Sequence, residues 1–335
     1  MNALILGLGS IGQRHLRNLR TIKEIKNIYL FRKKFITPTL SKELNIINQN
    51  LHDLYNVKYL KNLNNLSKYK IDVAFICSPT SMHASQAFTL AKNNINIFIE
   101  KPINHNLKNI KKLTNLISKN QKIKHMVGYQ LKFNPLINKL KFFIQKNEIG
   151  KIFTVQIHHG EHIADFHPYE DYKGSYAASK KLGGGVVLTQ SHEIDYLMYL
   201  FENFKFEKKY STNRKSSNLN INVEDNSFSI IELKYKNQII DCFISLNYFE
   251  RPKARNIELI GSEGKIKADL INNTIELNKG KKNKKIKFKI NKNLIFKKEI
   301  EYFINVIKKN KKVDKNLDIF SGIKVLKNCL KILKN

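Results

Sequence analysis

Three stretches of this 335-residue chain place chemically capable side chains at telling positions. The first is Gly7-Leu8-Gly9-Ser10-Ile11-Gly12, directly after the apolar run 3–6 and ahead of Ile11, Leu16 and Leu19 at helical spacing. In such a G-x-G-x-x-G the first glycine permits a tight turn, the second lets the backbone approach a pyrophosphate, and the third lets helix and strand pack closely. The free N–H groups and positive end of the following helix complete an anion site. The second stretch is Glu100-Lys101-Pro102, at the carboxyl end of a strand over 95–99. That edge is where open α/β sheets bind ligands, and a proline there commits the chain to a turn, holding Lys101 near the nicotinamide end of a bound dinucleotide. The third is a glycine triplet, Gly183 to Gly185, leading to His192 at the start of a helix buried along Ile194, Leu197, Met198 and Phe201. Histidine titrates near neutrality, and a lysine partly buried beside a cationic ring loses basicity. Together they suit proton transfer coupled to hydride movement.

About twenty residues past the third glycine, enzymes that use NAD place an acid against the ribose 2′-hydroxyl. Here stand Arg32, Lys33 and Lys34, with no carboxylate. A 2′-phosphate is welcome beside such cations, so NADP(H) is the expected cofactor and NAD(H) the alternative.

Elements that position these residues are legible in the hydrophobic pattern. Apolar runs at 3–6, 28–31, 59–60, 71–77, 95–99 and 123–127 alternate with helical stretches such as 82–92 and 107–119. Such alternation means βαβ units and a parallel sheet. The texture then changes. An extended stretch at 151–159, hairpins at 228–235/238–248 and 256–260/265–270, and strands at 274–277 and 286–290 predict a mainly antiparallel sheet. Helical patterns cover about 176–201 and 300–333. The expected fold class is an α/β Rossmann domain over 1–125, followed by an α+β domain with a mainly antiparallel sheet over 126–335. The C-terminal helices are expected to pack back on the first domain.

The formal net charge is +33. The basic residues spread along the whole chain, and Lys, Asn and Ile share A/T-rich codons. The excess therefore reads as compositional, and no specific nucleic-acid partner is expected. The densest basic run, 279–292, alternates Lys with Ile286, Phe288 and Ile290, as an edge strand with a charged outer face does. No apolar run is long enough for a membrane span, and a strand beginning near Asn2 leaves no room for an export signal. Three scattered cysteines fit a reducing compartment, so the expected location is cytoplasmic. The cluster His158, His159, His162, Asp165 and His167 matches no zinc spacing, and no metal is expected. No nucleophile elbow and no P-loop are present, which leaves hydrolase and kinase readings without support.

In order along the chain come GLGSIGQRH (7–15), CSPTSMH (77–83), EKP (100–102), VGYQLKFNP (127–135), IGKI (149–152), LGGGVVLTQSHEID (182–195) and IELIGSEGKI (257–266). This series resembles the Gfo/Idh/MocA oxidoreductases, the relatives of glucose–fructose oxidoreductase and inositol dehydrogenase. The stretch 165–185 is similar to a subgroup that builds surface polysaccharides and unusual sugars. The resemblance implies an NAD(P)-dependent oxidoreductase acting on the CH–OH of a sugar, sugar acid or nucleotide-sugar. Lys101 would contact the reacting oxygen, and His192 would act as general acid/base. Ser78, Pro79, His83 and Glu100 would join the glycine loop and Arg32 at the cofactor. Tyr129, Asp165, His167, Tyr172, Tyr176 and Thr189 would meet the substrate. A homodimer or homotetramer is implied, built on the open face of the second sheet. Two positions depart from the family pattern. Thr189 stands where many members carry Asp, and Lys132 where relatives often have Arg. With Glu193 and Asp195 as the nearby acids, Thr189 opens the alternative of a catalytically weak or inactive dinucleotide-binding regulator.

Overall fold

The computed structural model describes residues 1–32 and 38–334. The chain begins with a βαβ array: β1 (Asn2–Leu6), α1 (Ser10–Leu19) and β2 (Asn27–Phe31), then a two-stranded ladder of β3 (Thr39–Leu40) and β4 (Ile46–Ile47), α2 (Leu51–Tyr55) and β5 (Lys58–Tyr59). It continues with β6 (Val73–Ile76), α3 (His83–Lys92), β7 (Asn96–Glu100), α4 (Ile110–Lys119) and β8 (His125–Gly128). Six of these strands form one sheet in the order β5-β2-β1-β6-β7-β8, every pairing parallel. Its central strands are buried on both faces: Ala3 to Leu6 and Val73 to Ile76 are fully inaccessible. That is why they read as continuous apolar runs instead of alternating ones. Strand order reverses between β1 and β6, so the loops leaving their carboxyl ends diverge and open a crevice. The sheet runs through Gly128, slightly past the boundary expected at 125.

A second unit starts with α5 (Pro135–Gln145) and β9 (Ile152–Gly160), passes through α6 (Val186–Thr189) and α7 (His192–Leu200), and continues as a meander. The meander comprises β10 (Lys205–Arg214), β11 (Asn226–Tyr235), β12 (Gln238–Asn247), β13 (Ala254–Gly261), β14 (Gly264–Asp269), β15 (Thr274–Lys279) and β16 (Lys282–Lys287). The eight strands lie in the order β10-β11-β12-β9-β13-β14-β15-β16, antiparallel except where β12 meets β9. One face packs on helices through Val155, Ile157, Ile231, Leu233 and Ile244. The other stays open, with Tyr210 and Ile239 51% and Phe228 40% exposed. The basic edge strand exists but spans Lys282–Lys287, earlier than the Ile286–Ile290 alternation implied, because Phe288 and Ile290 pack past the strand end. Sequence reading missed β10, whose charged stretch buries little beyond Phe206 and Ser211, and α5, although Asn134 caps it and Pro135 opens it.

Two helices close the chain, α8 (Lys292–Lys308) and α9 (Ile319–Leu333). Ile300, Phe303 and Ile304 of α8 share a core with Leu16, Leu19, Phe75 and Phe98. Among the described residues no helix is long and apolar enough to cross a membrane.

Candidate active site

At the reversal point Gly7 adopts φ +92°, and a Cβ there would lie 2.6 Å from the Cys77 oxygen and Ser78 nitrogen. A Cβ on Gly12 would stand 2.1 Å from the Gly7 oxygen. These contacts press α1 against the loop and the neighbouring strand. Among the described residues nothing lies within 4 Å of a Cβ built on Gly9, which leaves room over it for a ligand. Gly9, the N-cap residue, has no side chain to cap α1 and no acid stands in its first turn, while the Tyr169 hydroxyl meets Ser10 at its main-chain N–H and side chain. The N–H groups of Ile11 and Gly12 and the positive helix end face an anion there, and the residues present fit a dinucleotide pyrophosphate.

A cavity of about 520 Å³ runs from this loop into the space between the two domains. Of the expected cofactor residues, Gly7, Gly9, Ser10, Ile11, Arg32, Ser78, Pro79, His83, Glu100 and Lys101 line it, while Gly12 is packed inside. Arg32 lies over the Tyr59 ring at 5.5 Å. Lys33 and Lys34 fall outside the described residues. The His83 ring is engaged by main chain: Nδ1 is 2.8 Å from the Pro102 carbonyl and Nε2 2.7 Å from that of Ser78, tying together the loops after β6 and β7. Burial lowers its pKa, against the pull of those two carbonyls. Glu100 meets His15 of α1 at 2.6 Å, with the imidazole buried between Phe75 and Phe98. Sequence reading overlooked His15; the only signal was its place three residues after Gly12.

Lys101 Nζ donates to the Thr189 carbonyl at 2.7 Å. Burial lowers its pKa, partly offset by Glu100 and Glu193. His192, the first residue of α7, is buried against the Tyr129 ring, edge to face at 5.6 Å. Its Nδ1 has no partner among the described residues. Burial pushes its pKa well below the usual value, and the surrounding positive charge of Lys101, Arg255, His159 and Lys132 pushes it the same way. At neutral pH the imidazole is therefore a neutral base.

The two acids beside His192 are committed elsewhere. Arg255 binds Glu193 at 2.7 Å and His159 Nδ1 lies 3.0 Å away. Burial opposes ionisation of Glu193, but the Arg255 charge and the contact with His159 outweigh it and hold its pKa at about 2. Asp195 accepts from Lys132 at 2.6 Å, and burial raises its pKa to about 6 despite that pairing. Lys132 also donates to the Asn316 carbonyl at 2.5 Å, so its ammonium acts as a point charge where a guanidinium would act as a fork.

Several expected substrate contacts need correction. Asp165 points away from the cleft into a two-bond pair with Arg251, at 2.9 and 2.6 Å, and is half exposed. Tyr172 accepts from the Asn220 N–H at 3.3 Å and does not reach the cavity. Tyr129 and Thr189 lie behind the wall: Tyr129 supports His192, and Thr189 anchors Lys101 through its carbonyl while its buried hydroxyl faces the hydroxyls of Tyr176 and Tyr248. Tyr176 does line the cavity, where burial raises its phenol to about 12. His167 lines it too, but turned toward the glycine loop. Arg14, Gln130, Phe166, Tyr169 and Glu170 also line it and carried no sequence signal of their own. The histidine cluster is dispersed, with His158 on Glu250 at 2.8 Å and His159 on Glu193. Among the described residues no group of three or more His, Cys, Asp or Glu is placed to hold a metal.

Residues 1–129 match the Gfo/Idh/MocA profile described as an oxidoreductase family with an NAD-binding Rossmann fold, and residues 141–318 match its C-terminal α/β domain. Inositol 2-dehydrogenase of Salmonella typhimurium is 25% identical over 256 residues, spanning 74% of this chain and 68% of that protein. The uncharacterized oxidoreductase YrbE of Bacillus subtilis is 29% identical over 158 residues; the chain spans 42% of its length. Levoglucosan dehydrogenase, solved with NADH and levoglucosan, superposes with a TM-score of 0.79 at 15% identity, over 100% of this chain and 96% of that one.

Proposed function

The chain belongs to the Gfo/Idh/MocA oxidoreductase family, and from that premise we propose that it transfers a hydride between a nicotinamide cofactor and the CH–OH or carbonyl carbon of a sugar, sugar acid or nucleotide-sugar. The observation that carries this reading is that Lys101 and His192, from different domains, wall the same cavity as the glycine loop. The bound dinucleotide supplies the ring that accepts or returns the hydride. With one N–H on the Thr189 carbonyl, the Lys101 ammonium has donors left for the reacting oxygen. In the oxidation direction the neutral His192 ring takes the hydroxyl proton, a contribution on the order of 10²–10⁴-fold. Inositol and levoglucosan dehydrogenases among the similar proteins support a polyol or sugar substrate. An NAD⁺- and NADP⁺-linked absorbance screen against sugars, sugar acids and nucleotide-sugars tests the reading.

Within it, NADP(H) is the preferred cofactor, supported by Arg32 where an acid would repel the 2′-phosphate. The regulator alternative rested on Thr189. The dehydrogenases among the similar proteins speak against it. Three buried free cysteines suit a reducing cytoplasm, and the open sheet face, with Tyr210, Phe228 and Ile239, suits a homo-oligomeric contact.

A further inference from the structure

The segment that leaves β9 crosses from the second domain to the first and touches the start of α1. His167 Nε2 lies 3.1 Å from Ser10 Oγ, and His167 Nδ1 lies 2.7 Å from Glu170 Oε1. The Tyr169 ring sits beside that of His167, with centroids 5.5 Å apart. All four residues line the cavity. Ser10 is the first residue of α1, the Tyr169 hydroxyl also meets its main-chain N–H and side chain, and among the described residues the space over Gly9 is open.

We propose that His167 is a cofactor ligand contributed by the substrate domain, holding a phosphate oxygen of the dinucleotide against the α1 N-terminus. This rests on the dinucleotide reading above and replaces the expectation that His167 touches the sugar. The chemistry follows from donor counting. The Glu170 carboxylate only accepts, so it fixes a proton on Nδ1. Nε2 of the neutral ring then accepts the Ser10 hydroxyl proton, which is the contact observed. A phosphate oxygen also only accepts, so facing it Nε2 must present an N–H. Nδ1–H stays on the Glu170 carboxylate, so the ring bridges acid and phosphate through two N–H donors, the second proton being taken from solvent together with the anion. The Ser10 hydroxyl, which also meets Tyr169, can then turn to donate to the same anion. Because the segment runs on to Tyr176, cofactor binding would also fix one wall of the sugar site.

The test is equilibrium binding of NADH and NADPH without sugar, followed by reduced-nicotinamide fluorescence, with ADP-ribose as a competitor that keeps both phosphates and lacks the ring. His167→Ala is expected to weaken NADH, NADPH and ADP-ribose alike, roughly 10- to 100-fold. Glu170→Gln, a change at a partly exposed position, is expected to weaken all three by roughly 3- to 10-fold. Tyr172→Phe, outside the cavity, keeps wild-type affinity and controls for disturbance of the segment. Unchanged nucleotide affinity in folded His167→Ala and Glu170→Gln proteins, with a raised sugar KM, overturns the proposal and returns His167 to the substrate. Binding of neither nucleotide by the wild type overturns the dinucleotide reading itself, and the proposal with it.

Discussion

Lys101 Nζ and the Thr189 carbonyl are joined by a 2.7 Å hydrogen bond that ties the carboxyl end of β7 to the turn ahead of α7. The acceptor is main chain, so the Thr189 side chain is not needed for it. Thr189→Val should leave turnover within a few-fold and cost stability about 0.5–1.5 kcal/mol, since it removes only a hydroxyl that faces those of Tyr176 and Tyr248. Lys101→Met should lower kcat by roughly 10²–10⁴-fold while NADH binding is kept. Initial rates and urea unfolding of the two variants check the pair; a large loss in Thr189→Val would place the hydroxyl in the chemistry.

His192 should set the acid limb of the oxidation rate. Its pKa is depressed by burial and then by surrounding cations, so the ring stays neutral down to a pH well below its usual value. The rate should fall only as pH drops through that depressed value. Thr189→Asp restores the acid that many family members carry, and a nearby carboxylate favours the imidazolium. The limb should therefore move to higher pH in that variant. The pH dependence of kcat/KM decides it; a limb that stays in place would remove His192 as the titrating base.

Lys132 and Asp195 form a buried ion pair at 2.6 Å. Lys132→Met leaves a lone buried carboxylate and should cost about 3–5 kcal/mol near neutral pH. The Asp195 pKa is already raised by burial to about 6, and removing the ammonium raises it further. A carboxyl with a raised folded-state pKa loses stability as pH rises through that value. The penalty should thus be smaller near pH 5 than near pH 7.5. Urea unfolding at both pH values measures it, and an equal penalty would contradict the assignment.

Arg32 should govern the choice between the two nicotinamide cofactors. Arg32→Asp introduces the acid that NAD enzymes use and should weaken NADPH by at least roughly 10-fold while NADH holds or improves. Equal loss of both in fluorescence titrations would show that Arg32 does not read the 2′ position.

How much was legible follows from range. The glycine loop, the strand ending at Glu100 and the helix opening at His192 are local patterns, and each is found where periodicity and punctuation put it. Pairings across the fold were not legible. His15 meets Glu100, Lys132 meets Asp195 and Arg255 meets Glu193 only after distant segments pack. Residues 165–176 show the limit most clearly. The stretch is rich in polar and aromatic types, but which of them face the cavity depends on short 3₁₀ turns that hydrophobic periodicity does not register. Asp165 and Tyr172 turn out, and His167 turns toward Ser10. Strand β10 escaped because its outer face is charged and its inner face carries little apolar area.

The central claim is that Lys101 and His192 carry hydride transfer at a sugar carbon. The direct measurement is reduced-nicotinamide absorbance during incubation with NADP⁺ or NAD⁺ and a panel of sugars, sugar acids and nucleotide-sugars, using wild type, Lys101→Met and His192→Asn in parallel. The expected result is cofactor reduction by the wild type with at least one substrate, lost in both variants although each still binds NADPH or NADH. Turnover that survives both substitutions, or a wild type that binds cofactor yet reduces none across the panel, would contradict it.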